Sequence, residues 1–289
     1  MDLDNFSNKK YKIKEGIPRF VVNENFTSSF GLQWNQFQKT QLDSHTNTTM
    51  SEDRIRTALP MPLESIKGLK IIEAGSGAGR FTEVLLKYGA IVYSFDLSNA
   101  VSANFANNMP HKNLTIFQGD IEDIPFNDNF FDISICLGVM QHTRDFSKSL
   151  QEISRVTRAG GIISFDHYKT HIGHYTSLYL VYWMIIKRIP KKFQLSVTNL
   201  LTKIFFPIHW VFRKHSLIQY LLRRISPISF YYGMFDLNKD QHYELSKLDT
   251  HDKNTDHYKR MVSEKQLNKM INKFCFKKFK SVFKKIRKK

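Results

Sequence analysis

The stretch LKIIEAGSGAGRFTEVLLKYGA, residues 69–90, decides the fold that we predict for this chain. An apolar run ends in the alternate glycines Gly75, Gly77 and Gly79, and apolar residues then resume at helical spacing. This order predicts a strand, a tight turn and the start of a helix. Glycines let backbone N–H groups approach a ligand closely, and the positive end of the helix faces that ligand. A small-molecule site is therefore expected at this turn.

The residues around the glycines disfavour two common phosphate sites. Arg80 stands where a dinucleotide-binding turn, G-x-G-x-x-G, has its third glycine, and no G-K-[ST] follows as in a P-loop. Glu73 lies two residues before Gly75, where its carboxylate repels phosphates and suits a cation. The turn therefore favours a ligand that carries positive charge.

Four further segments, which follow one another along the chain, each predict a strand. IVYSFDLS (91–98) ends a strand at Asp96, about 20 residues after the glycines, where a carboxylate can bind both hydroxyls of a ribose. The others are LTIFQGDIEDIPF (114–126), FDISICLGVMQHTRD (131–145) and LQEISRVTRAGGIISFDHY (150–168). The last one predicts an amphipathic helix, a turn at Gly160 and Gly161, and a fifth strand.

In this order the five segments, over residues 65–170, resemble class I S-adenosylmethionine-dependent methyltransferases. They are most similar to the group that includes the ubiquinone and menaquinone C-methyltransferases. The resemblance implies that S-adenosylmethionine is the cofactor, that Asp120 accepts a hydrogen bond from the adenine amino group, and that Ile121 packs beside the ring. The cofactor-binding residues it implies are Glu73, Gly75, Ser76, Gly77, Gly79, Asp96, Leu97, Asp120, Ile121 and Leu137.

The resemblance also implies a doubly wound, mostly parallel α/β sheet of Rossmann-like type. Around it we expect four parts. Residues 1–64 form an N-terminal arm that caps the cofactor site, with Gln33, Trp34 and Gln41 as lining residues, and residues 65–170 form the cofactor-binding core. Residues 171–245 form a basic, aromatic-rich helical insertion or lid, and residues 246–289 complete the core and end in a basic tail. Whether 273–289 supplies a final antiparallel strand stays open.

Charge is distributed very unevenly along the 289 residues. Residues 1–170 contain 18 Lys or Arg against 19 Asp or Glu, whereas residues 171–289 contain 25 against 7. The core is thus nearly neutral and the C-terminal region strongly basic, which indicates an anionic partner or a solvated basic surface. Two interpretations stay open: a lid over the active site, or helices that lie at an anionic membrane surface. An RNA platform ranks lower, because the aromatic residues come with long aliphatic runs.

Other features concern the compartment of the protein. The apolar run 178–186 is too short to cross a bilayer, and the first residues contain no apolar signal segment. Only Cys136 and Cys275 are present, which predicts neither a disulfide framework nor a cysteine metal site. We therefore expect a cytoplasmic protein without a metal, with peripheral attachment to the inner membrane face left open.

Methyl transfer can proceed mainly by positioning of the reactants, so a general base is optional. His142 and His167 follow the fourth and fifth predicted strands, at the sheet edge where ligands bind, and are the candidates for such a base. A structural role for each histidine is the alternative.

The predicted function is methyl transfer from S-adenosylmethionine to a small or lipid-linked acceptor, with O-, N- and C-methylation all open. Two alternatives remain: a nucleic-acid methyltransferase that uses the basic region, and a non-catalytic protein that binds the cofactor or a membrane surface. The sequence does not decide the oligomeric state.

Overall fold

The computed structural model describes residues 6–7, 10–21, 28–167, 177–231, 235–258 and 260–273. Seven strands form one sheet, and every neighbouring pair is parallel except the first two strands of the chain. The strands are β1 (Lys12–Lys14), β2 (Ile17–Arg19), β3 (Lys70–Ala74), β4 (Ile91–Asp96), β5 (Leu114–Gln118), β6 (Phe131–Cys136) and β7 (Thr157–Phe165).

The spatial order of the sheet is β1-β2-β5-β4-β3-β6-β7. The chain therefore moves outward from β3 to one side, through β4 and β5, and then returns to pair β6 on the other side of β3. In doubly wound sheets, ligands bind beyond the carboxyl ends of the strands at such a reversal. The glycine turn follows β3, so the topology places it at this point.

Helices cover both faces of the core sheet. The side chains of α4 that point inward, Phe81, Val84 and Leu85, are buried at helical spacing. Asp145 caps α6 by accepting hydrogen bonds from the N–H groups of Ser147 and Lys148. The helices up to β7 are α1 (Ser28–Gln36), α2 (Asp43–Thr46), α3 (Met50–Ala58), α4 (Arg80–Lys87), α5 (Ala100–Asn108) and α6 (Phe146–Val156), with 3-10 turns at Leu63–Ile66 and Met140–His142.

The N-terminal region is more than the arm that the sequence predicts. Its strands β1 and β2 form a hairpin, and β2 extends the sheet by pairing with β5. Buried Arg19 ties the hairpin to the core, because its Nη1 donates to Gln118 at 2.8 Å and to Asn99 at 2.7 Å. The predicted arm therefore also supplies one edge of the sheet.

The predicted turn at Gly160 and Gly161 lies inside β7 rather than before it. Thr157 of β7 pairs with Phe131 of β6, and Ile162 of β7 pairs with Ile133 of β6. The pairing register between β6 and β7 is therefore irregular at this point. Gly160 has a φ of 79°. The glycines thus form a bulge in a continuous strand.

The region after β7 is helical, as predicted, but its boundary differs. The predicted limit between residues 245 and 246 falls inside α10, which packs against α8. In the described part of the chain no strand follows β7, and residues 274–289 of the segment where a last strand was left open lie outside that part. The C-terminal helices are α7 (Tyr179–Ile186), α8 (Lys191–Val211), α9 (Ser216–Ile225), α10 (Lys239–Thr255) and α11 (Glu264–Lys273).

The last helix returns to the core. Leu267 and Ile271 of α11 are buried in the same cluster as Leu150 and Ile153 of α6. Residues near the C-terminus thus cover one face of the sheet through a helix.

Candidate functional site

The glycine turn is held to the neighbouring strand by its backbone. The N–H groups of Gly75 and Ser76 both donate to the carbonyl of Phe95, at 2.8 and 2.9 Å. A Cβ on Gly75 would overlap the side chain of Val139, which follows β6. The turn is therefore packed between β4 and the exit of β6, and a side chain at position 75 has no room.

Asp96, at the end of β4, meets the turn directly. Its Oδ2 accepts from the N–H of Gly77 at 3.0 Å, and its Oδ1 accepts from the N–H and hydroxyl of Ser98, both at 2.8 Å. Burial raises the pKa of Asp96, while the hydrogen bonds from Ser98 and Gly77 oppose that change. The fold thus fixes a carboxylate beside the glycine backbone, as the spacing predicts.

Glu73 lies beneath the turn and is 1% exposed. Its Oε2 accepts hydrogen bonds from Thr82 and, at 2.9 Å, from Ser94. Burial raises the pKa of Glu73 to about 7, against the opposing effect of these hydrogen bonds. This carboxyl group therefore joins β3, β4 and α4 on the side of the turn that faces the protein interior.

Two buried polar atoms at the turn bond no residue in the described part of the chain: Oε1 of Glu73 and the hydroxyl of Ser76. Buried polar atoms are normally paired. Together with the Asp96 carboxylate and the glycine backbone, they fit a polar ligand that offers hydroxyl and ammonium groups. S-adenosylmethionine has such groups, so the residues present fit this cofactor.

Asp120 follows β5 and forms an ion pair with Arg144. Its other oxygen, Oδ1, accepts from the N–H of Glu122 at 2.9 Å, and Arg144 also lies 3.5 Å from the carboxylate of Glu122. Ile121, beside it, is buried. The sequence did not predict the Arg144 contact, which holds the Asp120 carboxylate in one orientation.

Leu97 and Leu137 lie at the ends of the two strands next to β3. The carbonyl of Leu97 accepts from Gln118 Nε2 at 2.9 Å, and Leu137 is buried. After Leu137, the N–H of Gly138 donates to Asp166 Oδ1, and Asp166 pairs with Arg54 at 2.6 Å. The structure therefore brings Arg54 of α3 to the exit of β6.

The two candidate histidines have different surroundings. His142 ends the short 3-10 turn after Val139; its Nδ1 lies 3.1 Å from the carbonyl of Tyr258 and 3.7 Å from Asp256 Oδ2. His167 contacts the ring of Phe146, with 6.2 Å between the ring centres. His142 therefore has a carboxylate beside it, and His167 packs against an aromatic ring.

The arm predicted to cap the site contacts it through α1. A Cβ on Gly77 would lie 2.9 Å from Trp34 Cε2, so the indole lies against the turn. Gln33, the preceding residue, is fully buried, and its Oε1 accepts a hydrogen bond from His251 Nδ1 at 2.8 Å. Gln41 lies after α1, where its carbonyl accepts from the hydroxyl of Ser51. Helix α1 therefore lies between the glycine turn and α10.

Acidic residues of α10 face the start of α4, which the sequence reasoning missed. Asp249 accepts a hydrogen bond from Tyr231; burial raises the pKa of Asp249 and of Asp252 to about 6, and the charge of Arg80 opposes that rise. Burial lowers the pKa of Arg80 to about 10. The spacing Asp249, Asp252 and Asp256, in an otherwise basic region, is the signal that could have revealed this helix face.

Comparison with known proteins agrees with this geometry. Residues 72–165 match the family described as "Methyltransferase domain". The chain is 31% identical over 159 residues to a demethylmenaquinone methyltransferase of Corynebacterium efficiens, covering 53% of this chain and 66% of that protein. It is 34% identical over 105 residues to a malonyl-[acyl-carrier protein] O-methyltransferase of Pectobacterium atrosepticum, covering 36% and 40%.

Among solved structures, the YcgJ protein from Bacillus subtilis matches with 23% identity and a TM-score of 0.39, over 48% of this chain and 58% of that one. The chain spans less than two thirds of the length of the curated relatives it matches. Residues 72–165 are a methyltransferase domain of the class I type, whose cofactor is S-adenosylmethionine. The resemblance that the sequence motifs indicate is thereby confirmed.

Proposed function

We propose that this protein transfers a methyl group from S-adenosylmethionine to a small or lipid-linked acceptor. The observation that carries the proposal is the bond between Asp96 and the N–H of Gly77, at the reversal point of the sheet. The cofactor supplies an electrophilic methyl group on a sulfonium. The residues proposed to hold it are those at the strand ends: Glu73, Gly75, Ser76, Gly77, Gly79, Asp96, Leu97, Asp120, Ile121 and Leu137.

Calorimetry with S-adenosylmethionine, and with NADH as the control ligand, tests the cofactor. We expect binding of S-adenosylmethionine alone, and at least several-fold weaker binding by Asp96→Ala, because that variant lacks the carboxylate proposed to bind the ribose. Asp128→Ala is the matched control, since Asp128 precedes β6 at the opposite edge of the sheet and is 67% exposed. Equal affinity of the Asp96→Ala variant and the wild type would contradict the site.

We further propose that His142 acts as the base toward the acceptor. Its Nδ1 lies within hydrogen-bonding distance of the Tyr258 carbonyl, and a carbonyl only accepts, so the proton of the neutral ring belongs on Nδ1. Nε2 then carries the lone pair that can take a proton from a hydroxyl nucleophile. The position of His142, just after Val139 at the turn, supports this role.

The names of the relatives suggest two probes for the acceptor, a quinol and malonyl-acyl carrier protein. With the quinol, we expect His142→Gln to lower the rate and to remove its dependence on pH near neutrality. His111→Gln is the control, because His111 precedes β5 at the other edge of the sheet. An unchanged pH profile in His142→Gln would overturn the base assignment, and methylation of malonyl-acyl carrier protein alone would overturn a lipid-linked acceptor.

The proposed place of action is the cytoplasm, at the inner membrane face when the acceptor is lipid-linked. The basic balance of residues 171–289 supports attraction to anionic lipid. Fractionation of cells that express the full chain tests this: we expect protein in both the soluble and the membrane fraction, and purely secreted protein would contradict it.

A further inference from the structure

Helix α8 buries polar side chains and exposes apolar ones. Its buried face contains Gln194, Thr198, Thr202 and His209, with Phe206 as the one large apolar residue. Helices of globular proteins normally show the opposite arrangement. The exposed large apolar residues of the same helix are Phe193, Leu200, Ile204, Ile208 and Val211.

The buried polar side chains of α8 are hydrogen-bonded. The hydroxyls of Thr198 and Thr202 donate to carbonyls one turn earlier, at 3.0 and 2.9 Å, and Gln194 donates to the carbonyl of Ile189 at 3.0 Å. This face packs against α10. Thr198, Thr202 and Gln194 are therefore hydrogen-bonded locally, within α8 and to the turn before it, so this polar face can be buried against α10.

The helices on either side of α8 expose apolar residues as well. In α9, Gln219 is fully buried whereas Leu217 is 71% exposed. In α7, the exposed fraction of Ile185 is 57%. The other exposed apolar residues of these two helices are Val181, Met184, Tyr220, Leu221 and Ile225.

The charges of this region have a single sign. Residues 177–231 contain nine Lys or Arg and no Asp or Glu. Lys187 and Arg188 directly follow α7, and Lys191 and Lys192 begin α8. Arg213 and Lys214 lie between α8 and α9. Basic residues thus adjoin the ends of helices whose exposed faces are apolar, which is the arrangement of helices that lie in a membrane interface.

Two other occupants fit this surface less well. A second copy of the chain would bring another surface that is basic and lacks acidic residues, so like charges would repel. Nucleic acid would match the charge but leave Leu200, Ile204 and Leu217 without an apolar partner. Among the described residues, no helix is long and apolar enough to cross a membrane, so spanning is not the explanation for these faces.

We propose that α7, α8 and α9 form a surface, the α7–α9 face, that inserts into the interface of an anionic phospholipid membrane. The apolar residues enter the boundary between headgroups and acyl chains, while the flanking Lys and Arg contact lipid phosphates. Helix α8 lies parallel to the membrane plane, because its exposed apolar residues extend along its whole length. The proposed membrane binding does not depend on the proposed methyl transfer. Only the supply of an acceptor from the bilayer rests on the proposed function.

Sedimentation of the full chain with vesicles tests this surface. Vesicles of phosphatidylcholine are compared with vesicles that also contain phosphatidylglycerol, each at about 0.05 M and about 0.5 M salt. We expect binding to the anionic vesicles, a large part of which survives high salt because insertion of apolar side chains is not screened. Binding that disappears completely at high salt would overturn insertion.

Two double variants locate the surface: Leu200→Asp with Ile204→Asp on α8, and Leu217→Asp with Leu221→Asp on α9. Each is expected to weaken binding to anionic vesicles about tenfold or more, because carboxylates are costly in the interface. Ile13→Asp is the matched control, since Ile13 of β1 is 61% exposed and lies outside the C-terminal helices. Equal loss in the control, or none in the double variants, would overturn the proposal.

Further measurements separate this proposal from its rivals. Calorimetry with S-adenosylmethionine should give the same affinity for the wild type and both double variants, which shows that they fold and that the cofactor site is independent. In analytical ultracentrifugation without lipid, we expect the double variants to have the same oligomeric state as the wild type. A wild-type dimer that the double variants lose, or tighter binding to a single-stranded RNA oligonucleotide than to anionic vesicles, would overturn the membrane assignment.

Discussion

His209 of α8 and Gln219 of α9 hold each other by two hydrogen bonds in the interior of the helical region. His209 Nδ1 and Gln219 Oε1 are 2.9 Å apart, and Gln219 Nε2 donates to the carbonyl of His209 at 2.7 Å. Both residues are fully buried. Burial lowers the pKa of His209, so the ring is neutral and its Nδ1–H donates to the amide oxygen. These two hydrogen bonds join α8 directly to α9.

Replacement of Gln219 should therefore cost more stability than loss of a large apolar side chain nearby. Gln219→Ala leaves a buried ring N–H and a carbonyl without partners, and we expect the free energy of unfolding to fall by about 1–3 kcal/mol. Leu217→Ala on the same helix should change it by less than about 0.5 kcal/mol, because Leu217 is exposed. Urea unfolding followed by circular dichroism measures both. A larger effect of Leu217→Ala would show that α9 is oriented differently.

The close approach of Trp34 to Gly77 makes a specific prediction for the glycine turn. Gly77 has a φ of 53°, and Gly68, at 75°, is equally left-handed but has open space where a Cβ would lie. Alanine should strain the backbone by about 1 kcal/mol at either position. Only Gly77→Ala should also weaken S-adenosylmethionine binding, by about tenfold, because its methyl group meets the indole and displaces the turn. Calorimetry of the two variants with S-adenosylmethionine tests this. Equal affinities of Gly77→Ala and Gly68→Ala would exclude a role for the contact between the indole of Trp34 and the turn.

Trp34 should also report ligand binding. The chain contains three tryptophans, and only Trp34 lies against the turn; Trp183 and Trp210 belong to α7 and α8. We expect S-adenosylmethionine to change the tryptophan fluorescence of the wild type, because it changes the surroundings of the indole. Trp34→Phe should abolish the change and Trp210→Phe should retain it. A response that survives in Trp34→Phe would place the ligand elsewhere.

The sequence predicts the sheet core well and its surroundings less well, for physical reasons. Strands β3 to β6 are rich in apolar residues, and each ends in Asp or is followed by Gly within two residues, so the local sequence indicates where they end. Strands β1 and β2 have three residues each and include Lys and Arg, so nothing local distinguishes them from a loop. Their formation depends on the distant edge of β5.

Side-chain partners were harder to predict than strand ends. Asp120 was expected from its position after β5, but Arg144 reaches it from 24 residues away through the fold. The sequence of α8 likewise contains both a polar and an apolar side, and only the polar partner α10 decides which side is buried. Such choices depend on tertiary packing, which periodicity alone does not contain.

The buried carboxyl group of Glu73 should make stability depend on pH in a defined direction. Burial raises its pKa from 4.5 to about 7 in the folded chain, whereas the unfolded chain keeps the ordinary value. Between these values the folded chain holds a proton that the unfolded chain has released. The contribution of Glu73 to the free energy of unfolding therefore falls as the pH rises from 4.5 to 7, and stays low above that.

Glu73→Gln removes this dependence while its amide oxygen can still accept from Thr82 and Ser94. Relative to the wild type, the variant should gain about 3 kcal/mol between about pH 5 and about pH 8, measured by urea unfolding without cofactor. Glu64→Gln is the control: Arg56 lowers the pKa of Glu64, so it is ionised throughout this range and its effect should stay constant. If the difference in unfolding free energy between Glu73→Gln and the wild type were equally independent of pH, Glu73 would already be ionised at pH 5. That result would contradict the raised pKa of this buried carboxyl group.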